Sequence, residues 1–167
     1  MAEAAVAPRR AGVIPMDRTL FAQSGIFMDL DDDEIEGVGE ICEVVELKLG
    51  EHVFREGDEG DRLYIIERGE VRLSRNIPGV GEEAITVLRR GACFGEMSVL
   101  DYSTRSTDAI VHSRCTLVTI SREDFRELLE SDRELGYKVL WSVVRLLCQR
   151  LRMTNESLRS LMVMAMF

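Results

Sequence analysis

The chain reads as an α+β protein: a β-roll or jelly roll (double-stranded β-helix) with helices before it and one long helix after it. Three observations point there. Beyond Glu43, short runs rich in β-branched and aromatic residues alternate with glycine and charged turns, the texture of an antiparallel roll or barrel. The stretch before Glu43 and the stretch after Ser121 have helical texture instead, with acids gathered at helix starts such as Ser121-Arg122-Glu123-Asp124. Lastly, Leu140, Val144, Leu147, Leu151, Thr154, Leu158 and Leu161 recur at spacings of four and three, which a helix aligns along one face.

In chain order, residues 1–16 mix Ala, Pro and Arg without periodicity and are expected to form a flexible tail. Asp17 to Gly39 is expected to be helical, with apolar residues scattered among acids. Strands are expected at Val44–Leu49, His52–Phe54, Leu63–Ile66, Glu70–Leu73, Ala84–Leu88, Asp108–Val111 and Cys115–Ile120. Asn76-Ile77-Pro78-Gly79-Val80-Gly81 is a hairpin loop by its Pro-Gly content. Ser121 is a candidate N-cap, and the helix it opens ends near Ser131-Asp132. One domain is thus assigned to 17–132, followed by a long helix and apolar tail over 133–167. A second apolar set, Val139, Val143, Leu146 and Met153, is expected to face the roll. The last residues, Leu161 to Phe167, are apolar but too few to span a bilayer.

Composition narrows the function. A chain of 167 residues, 46% hydrophobic, suits one domain with a sizeable core. The net charge of −9 opposes a nucleic-acid-binding surface. The basic excess after Glu134 (Lys138, Arg145, Arg150, Arg152, Arg159) suits the C-terminal end of a helix dipole. Cys42, Cys93, Cys115 and Cys148 form no Cys-x-x-Cys pair, and reduced thiols imply a cytoplasmic protein. No continuous apolar core of signal-peptide length follows Arg9-Arg10, so secretion is not expected. Asp29, Asp31, Asp33 and Glu40 match calcium-loop positions, but Glu34 replaces the glycine such a loop needs. His52 and His112 have no partner at metal-ligand or catalytic spacing, and no glycine-rich loop leads into Lys-Ser or Lys-Thr. The expectation is a binding protein without metal or catalysis.

The segment Phe94 to Val111 carries the chemistry. Gly95 and Glu96 open a short apolar turn, and Arg105 arrives nine residues after the acid, just before a strand. Backbone N–H groups at the turn, close approach at glycine and a guanidinium opposite make an anion-binding cassette. A carboxylate beside an anion makes sense if it accepts bonds from neighbouring hydroxyls, so phosphate plus ribose explains the pairing better than phosphate alone.

At these residues the chain resembles the cyclic nucleotide-binding domain family, which includes catabolite activator proteins, kinase regulatory subunits and gated channels. The resemblance extends to Gly57-Asp58-Glu59-Gly60-Asp61-Arg62, on through Gly69-Glu70-Val71, and to Gly91. It covers about Leu20 to Leu161. Thr104 stands where many relatives have Pro, and Thr107-Asp108 replaces a small residue and its neighbour. By resemblance Glu96 would take the ribose 2′-OH and Arg105 the cyclic phosphate, within a cassette that includes Gly95, Met97, Ser98 and Ser106. Thr154 would bond the base from its own subunit while Asn155 reaches across from a partner. Leu73 and Ile85 match apolar positions lining the base pocket, though as alternating strand residues they equally suit core.

The function implied is a cytoplasmic receptor for cAMP, or less readily cGMP, acting on an unknown effector protein. It would be a homodimer through Leu140, Val144, Leu147, Leu151, Leu158 and Leu161. The alternatives are an interaction protein that kept the fold without the ligand, and the sensor half of a transcription regulator whose DNA-binding domain lies beyond Phe167.

Overall fold

The computed structural model describes residues 17–164. The expected tail over 1–16 and the last three residues lie outside them. In chain order the elements are α1 (Arg18–Gln23), α2 (Asp32–Glu40), β1 (Glu43–Leu47), β2 (His52–Phe54), β3 (Arg62–Ile77), β4 (Gly81–Leu88), β5 (Cys93–Phe94), α3 (Glu96–Asp101), β6 (Asp108–Ser121), α4 (Arg122–Ser131) and α5 (Arg133–Met164). The α+β class and the long terminal helix are as expected.

Where one helical stretch was expected over 17–39 there are two helices. Each is started by its own aspartate. Asp17 accepts from Thr19 N at 3.0 Å, while Asp31 accepts from Glu34 N at 3.0 Å and Glu34 accepts from Asp31 N at 2.9 Å. That reciprocal cap needs extended backbone at Asp31, so the helix cannot run through it. Gly25, at φ 80°, ends the first helix and packs beneath Leu146.

Strands β3 and β6 each fuse two of the expected runs. They pair antiparallel along most of their length, with β1 and β2 on the far edge of β6 and β4 and β5 on β3. Gly69 sits at a register shift between them with φ 92°, and a Cβ there would meet Arg114 O at 2.4 Å. Glycine therefore lets the strand bulge and continue.

The period-two alternation of β3 divides the core. Leu63 and Ile65 pack with the helices, in a cluster that includes Phe21, Phe27, Val38, Phe125 and Val139. Tyr64 and Ile66 point the other way, into the roll with Val71, Phe94, Val111 and Leu117. The roll thus sits between solvent and a helical layer.

Helix α4 starts where expected, with Ser121 Oγ accepting from Asp124 N at 3.0 Å. Asp132 then caps α5 by accepting from Glu134 N and Leu135 N at 2.8 and 3.1 Å. The first half of α5 is held closely. Leu135, Val139 and Val143 are buried, Lys138 Nζ donates to Glu34 Oε1 at 2.7 Å, and Arg145 and Ser142 both donate to Asp29. From Leu151 onward every described side chain of the helix is exposed. Met153 was expected on the roll-facing side and is exposed too, because the helix has left the body by that point. Of the seam, Leu140, Val144, Leu151 and Leu158 are exposed, while Leu147 packs partly against the helical core. The side chain of Leu161 lies outside the described residues.

Candidate functional site

The site is assembled where the end of β5 meets α3. Gly95 is left-handed at φ 75° and serves as the N-cap of α3, and Tyr102 at φ 60° ends the same helix. Two such residues seven positions apart fold the segment 95–102 into a compact bend. The connector that follows is held by the loop at Gly57-Asp58. Arg105 N donates to Asp58 O, and Gly57 N donates to Arg105 O, both at 2.9 Å. The glycine-punctuated stretch before β3 and the cassette are therefore one structural unit.

Those two bonds bring the Arg105 side chain inward, where it is 3% exposed. Its Nη1 donates to Gly95 O and Ser98 Oγ, each at 2.8 Å, and its Nη2 donates to Arg62 O at 2.7 Å. The guanidinium carbon lies 4.2 Å from the centre of the Phe54 ring. The nearest carboxylate, Asp61, stands 3.7 Å away and is itself exposed. Burial pushes the guanidinium below its usual range, partly offset by Tyr64 and Asp61. Its buried Nε has no bond among the described residues. A fixed, dehydrated cation with a donor to spare is suited to an anion that arrives from outside.

Glu96 is 2% exposed, and its Oε1 accepts from Arg150 Nη1. Arg150 also donates to Cys93 O from Nη2. Burial pushes the Glu96 carboxyl above its usual range, and the Arg150 and Arg105 cations oppose that shift. Arg150 was not anticipated as a site residue. It stands between Leu147 and Leu151, off the seam, and no local motif marks it; only its sequence distance of 54 from Glu96 is bridged by the fold.

One pocket gathers most of the expected residues: Leu73, Gly95, Glu96, Met97, Ser98, Arg105 and Ser106 line it. Phe54, Phe94, Ser103, Thr104, Thr107 and Arg150 complete its wall. Leu73 and Phe54 give this wall apolar side chains, and Ser98, Ser103, Thr104, Ser106 and Thr107 give it hydroxyls. This combination fits a ligand with one apolar ring face and an anionic, hydroxyl-bearing remainder.

Three expected residues are not in that wall. Ile85 is exposed on β4, at the place where the register with β3 shifts: Leu73 pairs with Thr86 but Ser74 pairs with Ala84, leaving Ile85 as the extra residue of a bulge. Thr154 and Asn155 are exposed on the outer half of α5, and Thr154 Oγ1 donates to Arg150 O at 3.0 Å, one turn back along its own helix. Among the described residues, no group of three His, Cys, Asp or Glu side chains could hold a metal ion, and no helix is long and apolar enough to cross a membrane.

Known proteins resemble most of this chain. A family model for the cyclic nucleotide-binding domain matches residues 44–132. The CRP-like cAMP-activated global transcriptional regulator of Mycobacterium tuberculosis is 33% identical over 146 residues, which is 87% of this chain and 63% of that protein. The chain therefore spans under two thirds of that regulator's length. Among solved structures, the catabolite activator protein of Thermus thermophilus superposes with a TM-score of 0.74 at 33% identity, over 83% of this chain and 63% of that one. A cyclic nucleotide-binding domain from Methylobacillus flagellatus gives 0.75 at 27% identity, over 83% of this chain and 82% of its own.

Proposed function

The chain belongs to the cyclic nucleotide-binding domain family, and on that premise we propose that it is a cytoplasmic receptor for cAMP, with cGMP the weaker ligand. One observation carries this reading. Arg105 is a buried guanidinium with an unpaired Nε, set in a pocket wall beside a buried carboxylate. A cyclic phosphate supplies the missing acceptor, and the ribose 2′-OH donates to Glu96. The relatives named as cAMP-activated or as a catabolite activator support the choice of nucleotide. The protein binds and signals; it carries out no reaction.

The output passes through α5. Arg150 lies between the ribose acceptor and the outer half of that helix, so occupation of the pocket and the stance of α5 act on each other. A second copy of the chain is the partner of that half. Along α5 the exposed Leu140, Val144, Leu151 and Leu158 form a stripe, running into that half, suited to a two-fold seam. A free-standing helix of about 12–15 residues is marginal in water. Thr154 would then meet the base from its own subunit and Asn155 from the second copy, both acting on the adenine amino group. The signal is delivered to an effector protein.

Titration calorimetry with cAMP, cGMP and 2′-deoxy-cAMP tests the reading. cAMP should bind more tightly than cGMP, and removal of the 2′-hydroxyl should weaken binding in the natural chain but not in a Glu96→Gln variant. Absence of heat with either cyclic nucleotide would end it.

A further inference from the structure

A buried carboxylate stays ionised only while its partners outweigh its lost hydration. The titratable and charged groups facing Glu96 are few: Arg150 from α5, Arg105 from the connector before β6, and the Cys93 thiol from β5. Arg105 directs its bonds elsewhere, to Gly95 O, Ser98 Oγ and Arg62 O. Among the described residues only Arg150 bonds the Glu96 carboxylate from another element. Burial raises the carboxyl above its usual range against the pull of these cations.

Arg150 is equally dependent on Glu96. Its two bonds to the body go to Glu96 Oε1 and Cys93 O. It is also the last described residue of α5 with a bond outside its own helix, since everything from Leu151 on is exposed. The carboxylate proposed to accept a ribose hydroxyl is thus the same group that ties down the root of the exposed half-helix.

We propose that the Glu96–Arg150 pair is a proton-operated latch: one proton taken up from solvent by the Glu96 carboxyl removes the charged ribose acceptor and releases Arg150, loosening the outer half of α5. Acid then weakens nucleotide binding and disorders the output helix in one event. The first consequence rests on the cyclic nucleotide reading, and the second does not.

Two measurements test the latch. Far-ultraviolet circular dichroism without nucleotide, from about pH 8 down to about pH 5, a range above the ordinary carboxylate value, should show helical signal lost in the natural chain. Glu96→Gln should lack that signal already at the upper end and show no transition. Arg150→Gln should also lack it throughout. Calorimetry should show cAMP affinity falling by up to about tenfold per pH unit through the same range, with a flat profile for 2′-deoxy-cAMP and for Glu96→Gln. In Arg150→Gln the affinity transition should move to higher pH, because the cation favouring the carboxylate is gone. A flat helical signal or a flat cAMP affinity in the natural chain overturns the latch, as does a pH response that survives in Glu96→Gln. Failure to bind any cyclic nucleotide at the upper pH would instead remove the receptor reading, and the helical transition would then judge the release of α5 by itself.

Discussion

A Cβ atom on Gly95 would lie 2.8 Å from Arg105 Nη1 and 3.3 Å from Arg62 O. The glycine that opens α3 and the arginine ten residues later, at the far end of the cassette, are therefore built around each other. The missing side chain is the space through which the guanidinium reaches Gly95 O.

Gly95→Ala should accordingly damage both stability and recognition. The residue is left-handed at φ 75°, and an L side chain there costs about 1–2 kcal/mol before any clash is counted. Arg105 must also shift, and it is held by three acceptors that cannot all follow. Urea denaturation should show a loss of about 1–3 kcal/mol, and calorimetry should show weaker cAMP binding. A variant with natural stability and affinity would mean that the backbone at Gly95 adapts freely.

Arg105→Ala removes the proposed phosphate partner itself. Leaving a buried charge of the ligand unpaired should cost about 2–5 kcal/mol of nucleotide affinity. Arg105→Lys should not rescue it. An ammonium offers no planar fork to serve Gly95 O, Ser98 Oγ and Arg62 O while leaving a donor for the ligand. Binding unchanged in either variant would take the cassette out of the recognition site.

Glu96 should trade stability for function. Its folded-state carboxyl is raised, first by burial, so the ionised form is disfavoured in the folded chain relative to the unfolded one. The sign follows directly. This group's contribution to stability is greatest below the ordinary glutamate range and is lost as pH rises through its raised folded value. At about pH 8, Glu96→Gln should melt higher than the natural chain, by about 2–4 °C for each kcal/mol regained at this length. The difference should shrink as pH falls. Global melting and the local fraying of α5 are separate quantities, so a more stable core is compatible with a looser terminal helix. A variant that melts lower at every pH would show that the Arg150 pair outweighs burial.

The cassette was legible because its parts are close in sequence. Gly95, Glu96, Ser98 and Arg105 fall within one bend, and residue type and spacing alone suggest an anion with hydroxyls nearby. Arg150 was invisible for the opposite reason: it reaches Glu96 only because Val139 and Val143 pin α5 against the helical core, and no local pattern encodes that meeting. The roll was readable from its alternation, yet the lengths of β3 and β6 were not. Gly69 looked like a strand end, whereas its positive φ and close contact with Arg114 O let one strand bulge and run on. The break between α1 and α2 was similarly hidden, since the acids read as one enriched helix start until Asp31 and Glu34 are seen to cap each other. Ile85 shows the cost of extending a strand register by resemblance, because a single extra residue on β4 moves it out of the pocket wall.

The outer half of α5 supplies the last prediction, since in the proposed dimer its exposed stripe would link recognition to assembly. Leu151 and Leu158 are the residues to change, because both are exposed and neither packs on its own subunit, whereas Leu147 contributes partly to the helical core. Leu151→Glu with Leu158→Glu would bury like charges across a two-fold seam, so the variant should be monomeric while keeping the natural fold and melting behaviour of the roll. Light scattering after size-exclusion chromatography should find the natural chain dimeric at tens of micromolar, roughly where even weak self-association registers. It should find the variant at half that mass. The variant should also bind cAMP less tightly, because Asn155 of the second copy is no longer presented to the base. A natural chain that is monomeric under those conditions would exclude the seam. A monomeric variant with unaltered cAMP affinity would keep the seam but confine base recognition to a single chain, in which Thr154 and Asn155 lie outside the pocket wall.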